Sequence, residues 1–143
     1  MSFPRVSPNG EYLVFTLSNY GQFSIWHKEA DLYCLNLQTN HLKPLAAWNS
    51  DDTESYHSWS SNGRWMVFSS RRDDGLYTRP YIGYMDAEGN PKKAFMLPQE
   101  APKDYYTELL YSYNIPELIT GEVNLKPREV GDWVWSNEVI QVK

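Results

Sequence analysis

Tyr56-His57-Ser58-Trp59-Ser60-Ser61-Asn62-Gly63-Arg64-Trp65-Met66-Val67-Phe68-Ser69-Ser70 reads as a short strand, a tight turn at Asn62-Gly63, and a second strand. Asn-Gly is the strongest two-residue hairpin signal, because both residues accept positive φ at little cost. The same pattern occurs at Phe3 to Ser18. Ser7 matches Ser60, Asn9 matches Asn62, Gly10 matches Gly63, Val14 matches Val67 and Phe15 matches Phe68, each pair 53 residues apart. A repeat of this period outranks any single motif in deciding the fold.

Working outward, strands are expected at Phe3–Val6, Glu11–Leu17, Asp31–Leu37 and His41–Ala47 in the first unit. The second unit supplies Tyr56–Trp59, Arg64–Ser69, Tyr81–Met85 and Lys93–Leu97. Glu11–Leu17 is apolar on both faces, with Tyr12, Val14 and Thr16 on one and Leu13, Phe15 and Leu17 on the other. Period-2 alternation then places the strand between layers. The third strands align at an offset of 50, Asn36 on Asp86 and Asn40 on Asn90. The change from 53 falls in the loop before them, where insertions belong. From Pro98 the pattern breaks. Asp104 is expected to cap a helix running to Tyr113, with Leu109 and Leu110 facing the body. Asp132–Ser136 and Glu138–Val142 read as late strands, with a turn at Ser136-Asn137.

Four short strands per unit suggest a β-propeller blade. The run from Trp59 to Asp73 is similar to the blade signature of TolB-type propellers, and Ser7-Pro8-Asn9-Gly10 matches its turn more closely. Tyr84-Met85-Asp86-Ala87-Glu88-Gly89 resembles the third strand and its ending. The resemblance covers residues 3 to 97, with Ser61 where the family usually has Pro. It implies an all-β fold of two four-stranded antiparallel blades, at 1–50 and 51–98. An extension at 99–143 adds a short helix and one or two strands. It also implies an extracytoplasmic, periplasmic setting and a non-enzymatic interaction or scaffold module. The alternatives are the accessory propeller of a prolyl-oligopeptidase-type peptidase or other hydrolase and, further off, a glycan binder. Propellers close with about 4–8 blades. Two blades are therefore expected to be the back end of a longer chain or to self-associate through exposed apolar faces. In either case Trp59 and Phe68 are expected to fill the gap between blades.

Composition narrows the functions. Net charge is −5, and no basic cluster exceeds Arg71-Arg72 or Lys92-Lys93, which argues against a nucleic-acid surface. No apolar run reaches membrane-spanning length. Cys34 stands alone, which leaves neither an internal disulfide nor a cysteine metal site; its flanks suggest a buried thiol. Gly-x-Ser-x-Gly and phosphate-binding glycine loops are absent. His27, His41 and His57 have no metal spacing. Asp51-Asp52-Thr53-Glu54 lacks the spacing of a calcium loop and reads as solvated. No catalytic residue, cofactor or metal is assigned.

Three loops should gather on one rim, namely Ser18–Ala30, Trp48–Ser55 and Ser70–Pro80. They hold Tyr20, Phe23, Trp26, His27, Trp48, Arg71, Arg72, Tyr77 and Arg79. Trp, Tyr and Arg are the usual anchors of interfaces, so this set is the candidate surface for a protein or peptide partner or a glycan. The competing reading is that these side chains pack the loops onto the blades.

Overall fold

A computed structural model describes residues 1–136. Strands β1 (Ser2–Val6), β2 (Tyr12–Leu17), β3 (Asp31–Asn36) and β4 (Leu42–Pro44) form one antiparallel sheet in that order. Strands β5 (Glu54–Trp59), β6 (Trp65–Ser70), β7 (Arg79–Tyr84) and β8 (Phe95–Met96) form a second sheet of the same order. Helices α1 (Pro102–Glu108) and α2 (Pro127–Trp135) follow.

The duplication extends to the backbone. Ser7 Oγ accepts from Tyr12 N at 3.0 Å, and Ser60 Oγ accepts from Trp65 N at 3.0 Å. The Oδ1 atoms of Asn9 and Asn62 accept from Glu11 N and Arg64 N. Only the glycine of each Asn-Gly pair takes positive φ, +73° at Gly10 and +66° at Gly63. The asparagines instead close the turns through their side chains, which corrects the expectation of positive φ at both residues. The two first strands carry matching bulges. Phe3 and Tyr56, also 53 apart, sit at φ 52° and 47°, with ring centroids 4.4 Å apart across the sheets. A bulge inserts one residue and sharpens the local twist.

The two sheets stack face to face. Val14, Leu32 and Cys34 of the first meet Met66, Phe68 and Tyr81 of the second, with Leu45, Trp48, Met85 and Ala94 completing the buried core. Paired residues share a face: Val14 lies opposite Cys34, Phe68 opposite Tyr81, and Tyr81 opposite Met96. Phe68 is fully buried and Trp59 packs beside the core, its indole N–H donating to Arg5 O at 3.2 Å, as expected. Burying rings such as Phe68 and Trp48 contributes roughly 2–3 kcal/mol each. Cys34 is a core thiol, pushed up to about 11 by burial.

Several expectations need correction. β2 pairs Tyr12 with Asn36, whereas β6 pairs Trp65 with Tyr84, so the third strands correspond at an offset of 48. The second hairpin reaches further out before it turns. Its left-handed residue is Gly89, the counterpart of Asn40. His41–Ala47 yields only Leu42–Pro44, because the chain turns at Leu45, whose carbonyl accepts from Trp48 N at 2.8 Å. β5 begins at Glu54 and β7 at Arg79, both inside expected loops.

Helix α1 starts at Pro102, with Ala101 at the cap position and Asp104 in its first turn, and it ends at Glu108. Proline is suited to a first helical turn, where its missing N–H costs nothing. Tyr106, not Leu110, anchors this region: Tyr106 is 5% exposed and Leu110 75%. Asp132–Ser136 is not a strand; α2 runs through Trp135. Val130, Trp133 and Val134 are spaced by three and four, which is helical period. The expected strand at Glu138–Val142 lies outside the described residues.

Candidate functional site

The three loops do meet. Ser24–Trp26 forms one 3-10 turn, and its buried Ser24 reaches the second sheet. Ser24 Oγ lies 2.9 Å from Ser55 Oγ, and Thr53 Oγ1 donates to Ser24 O at 2.9 Å. Arg71 Nη1 donates to Ile25 O at 3.3 Å, and Arg71 N to Thr53 O at 3.3 Å.

Of the nine candidate residues, three point into the body of the fold and are spent on packing it. Trp48 is fully buried between the sheets, and its indole N–H donates to Lys92 O at 2.9 Å. Arg72 reaches inward over the Tyr81 ring at 4.3 Å and pairs with Glu54 at 2.9 Å. Arg79, 2% exposed, donates to the carbonyls of Tyr106, Leu109 and Tyr111 at 2.8, 3.0 and 3.0 Å. These three fasten elements together. For them the packing reading holds.

Glu54 escaped the sequence reading, which placed it in a solvated loop. It is fully buried, and its carboxylate accepts from Ser50 N, Ser50 Oγ, Ser70 Oγ and Arg72 Nη2. Burial pushes its pKa up, opposed first by the hydrogen bond from Ser50 and then by the Arg72 charge. A buried carboxylate needs such a donor set to remain ionised. Its acidic neighbours hid it, since only β5 pairing brings it inward.

The remaining six stay at the surface or just beneath it. Phe23 and Trp26 are 70% and 66% exposed. Phe23 holds a left-handed conformation, φ 51° and ψ 50°, which is uncommon for an aromatic residue. The Arg71 guanidinium lies 4.9 Å from the Trp26 ring centroid. Tyr20 lies over His27, centroids 3.8 Å apart, and His27 itself is buried, with Nδ1 3.6 Å from Glu29 Oε1. Tyr77 stacks on the Arg79 guanidinium at 5.2 Å from the far side of its loop.

Two hollows flank this rim. One, of about 510 Å³, lies between the 73–79 loop and α1 and includes Asp73, Asp74, Tyr77, Arg79 and Tyr106. Its charges are already engaged: Asp74 pairs with Arg79 at 3.6 Å, and Asp73 accepts from Tyr81 OH at 2.9 Å. The other, of about 270 Å³, lies under Phe23 and Trp26, with Arg71, Thr78, Ser112 and Asn114 in its wall. Ser112 and Asn114 come from the segment after α1, which no loop-gathering argument could place.

Among the described residues no three His, Cys, Asp or Glu side chains converge to hold a metal. No helix among them is long and apolar enough to cross a membrane. No family model matches the chain, and no curated protein is significantly similar to it.

Proposed function

We propose that this chain is a non-enzymatic interaction module, part of a propeller-like stack of the TolB type in an extracytoplasmic protein. One observation carries this reading: the sheets stack head to tail. Met66 and Phe68 of the second sheet lie against the Val14 face of the first. Their counterparts in the first sheet, Leu13 and Phe15, point the opposite way. That face also carries Leu17, Tyr33, Leu35 and Leu42, of which Leu17 and Leu42 are 37% and 50% exposed. The repeat therefore supplies the shape of the missing neighbour, a sheet presenting a Val14-type face. An apolar face of this kind favours association.

The far face of the second sheet has a different cover. Ser69 Oγ donates to Tyr113 O at 2.7 Å and to Asn114 O at 3.0 Å, so the segment after α1 crosses it. That cover is partial, since Trp65 and Phe95 on the same face are 38% and 46% exposed. Among the described residues, the first sheet presents the face named above without such a crossing segment.

Light scattering across a concentration range tests this. The expected result is a mass that rises with concentration, or stable capture of a further blade of the same type. Both should be lost in the surface double variant Leu17→Lys, Leu42→Lys. A constant monomer mass with no blade captured would contradict the reading.

A further inference from the structure

We propose that the hollow beneath Phe23 and Trp26 is a binding site for a carboxylate carried on an apolar group, as in the C-terminal residue of a peptide or a free N-acylated amino acid. This site is separate from the open face of the first sheet and does not depend on what covers that face.

The polar wall has spent its acceptors and kept its donors. Ser112 Oγ accepts from Thr78 N at 3.1 Å, which leaves the Ser112 hydroxyl hydrogen to donate. Asn114 Oδ1 accepts from Thr78 Oγ1 at 2.8 Å, which turns the Asn114 amide NH2 outward to other partners. Arg71 uses two of its five N–H groups, on the carbonyls of Ile25 and Gly75. Its Nε–H has no acceptor. Among the described residues no carboxylate lies within ion-pair distance of Arg71, whereas Arg72 and Arg79 each have one. A wall of unspent donors beside an unpaired guanidinium calls for an anionic acceptor. A planar carboxylate matches the guanidinium fork.

The other half of the hollow is apolar. Phe23, Trp26 and Leu76 are each at least 66% exposed around its mouth, and Tyr56 lies within the wall. The left-handed backbone at Phe23 holds its ring out in solvent, a conformation that brings no burial in return. Strain of this kind clusters at ligand clamps. A hollow of about 270 Å³ accommodates one side chain and its carboxylate, not an extended chain.

The test uses the full chain, with N-acetyl-phenylalanine and its amide as probes. A tetrapeptide ending in phenylalanine is added in free-acid and amidated forms. The Trp26 indole N–H signal in a nitrogen–proton NMR spectrum is the readout, assigned through Trp26→Phe. The acid is expected to shift that signal saturably, and the amide to bind at least about tenfold more weakly, as for loss of a charge-assisted hydrogen bond. Asn114→Asp keeps the acceptor for Thr78 and replaces the free donor with a negative charge; it is expected to weaken the acid by about tenfold or more. Arg71→Met is expected to abolish binding while the other indole signals stay in place. A free-acid peptide binding more tightly than the acetylated amino acid identifies a peptide terminus as the source, and equal binding identifies the free acid. Equal binding of acid and amide, no shift with any probe, or unchanged binding in Asn114→Asp would overturn the proposal.

Discussion

The indole of Trp48 lies directly over Gly83, so close that a Cβ on Gly83 would collide with the ring. Trp48 comes from the link between the sheets and Gly83 from β7, opposite Met66. The absent side chain lets a fully buried tryptophan stack on Phe68, ring centroids 5.9 Å apart. Gly83→Ala is expected to destabilise the fold by about 1–3 kcal/mol through overpacking. Urea unfolding followed by tryptophan fluorescence measures it. An unchanged midpoint would show that the ring moves aside freely.

Glu54 and Arg72 join three elements through one buried carboxylate. Glu54→Ala removes the acceptor for Ser50, Ser70 and Arg72 together and leaves the guanidinium without its counter-ion. The expected loss is about 3–5 kcal/mol. Glu54→Gln keeps one acceptor oxygen and should cost clearly less. Equal losses in the two variants would mean that the charge, which both remove, matters here and that the shape and acceptor oxygen kept by Gln do not.

His57 sits 2% exposed in β5, with Nε2 3.0 Å from Val14 O. Burial lowers its pKa from 6.5 to about 4; the Val14 hydrogen bond partly offsets this and nearby Arg5 adds to it. The unfolded chain therefore takes up a proton near 6.5 and the folded chain only near 4. The stabilisation is full above 6.5 and is lost as pH falls towards about 4, a loss on the order of 3 kcal/mol. Glu54 works in the opposite sense, because its raised pKa means that the folded state takes up that proton more readily. Urea midpoints at about pH 7.5 and about pH 4.5 should differ in the native chain, and by less in His57→Gln. The imidazole proton signals of His57 should remain those of a neutral ring well below 6.5.

Arg79 holds the segment after α1 by its three carbonyl contacts, while Tyr113 N donates to Thr78 O at 3.0 Å beside it. Arg79→Lys keeps the charge and loses the fork that reaches several carbonyls at once. Amide exchange at Tyr113 is expected to accelerate at least about tenfold, as for loss of 1.4 kcal/mol of local protection, while β2, β3 and β6 amides change little. Uniform acceleration across both sheets would show that this segment and the sheets open as one unit.

Asn9-Gly10 and Asn62-Gly63 announced the hairpins, and the alternation in Tyr12–Leu17 announced a strand apolar on both faces. Those signals are legible because a turn and a pleat depend on neighbours a few residues away. The rim was half legible. Loop connectivity brought Phe23, Trp26 and Arg71 together. It could not distinguish Arg71, beside a hollow, from Arg72, one residue on and drawn inward by Glu54 and Ser70. Ser112 and Asn114 carried no signal, since they reach the site only where Arg79, Thr78 and Ser69 tie down the chain that follows α1.

Local chemistry in the chain was sufficient for the duplicated four-stranded sheets: paired glycine turns, period-2 runs and a spacing of 53. Tertiary packing alone decided that Glu54 goes inside, that Trp48 fills the gap over Gly83, and that the wall beside Arg71 presents donors. Each of these depends on partners brought together from distant parts of the chain. Burial, charge pairing and the spending of hydrogen-bond capacity are properties of such assembled neighbourhoods.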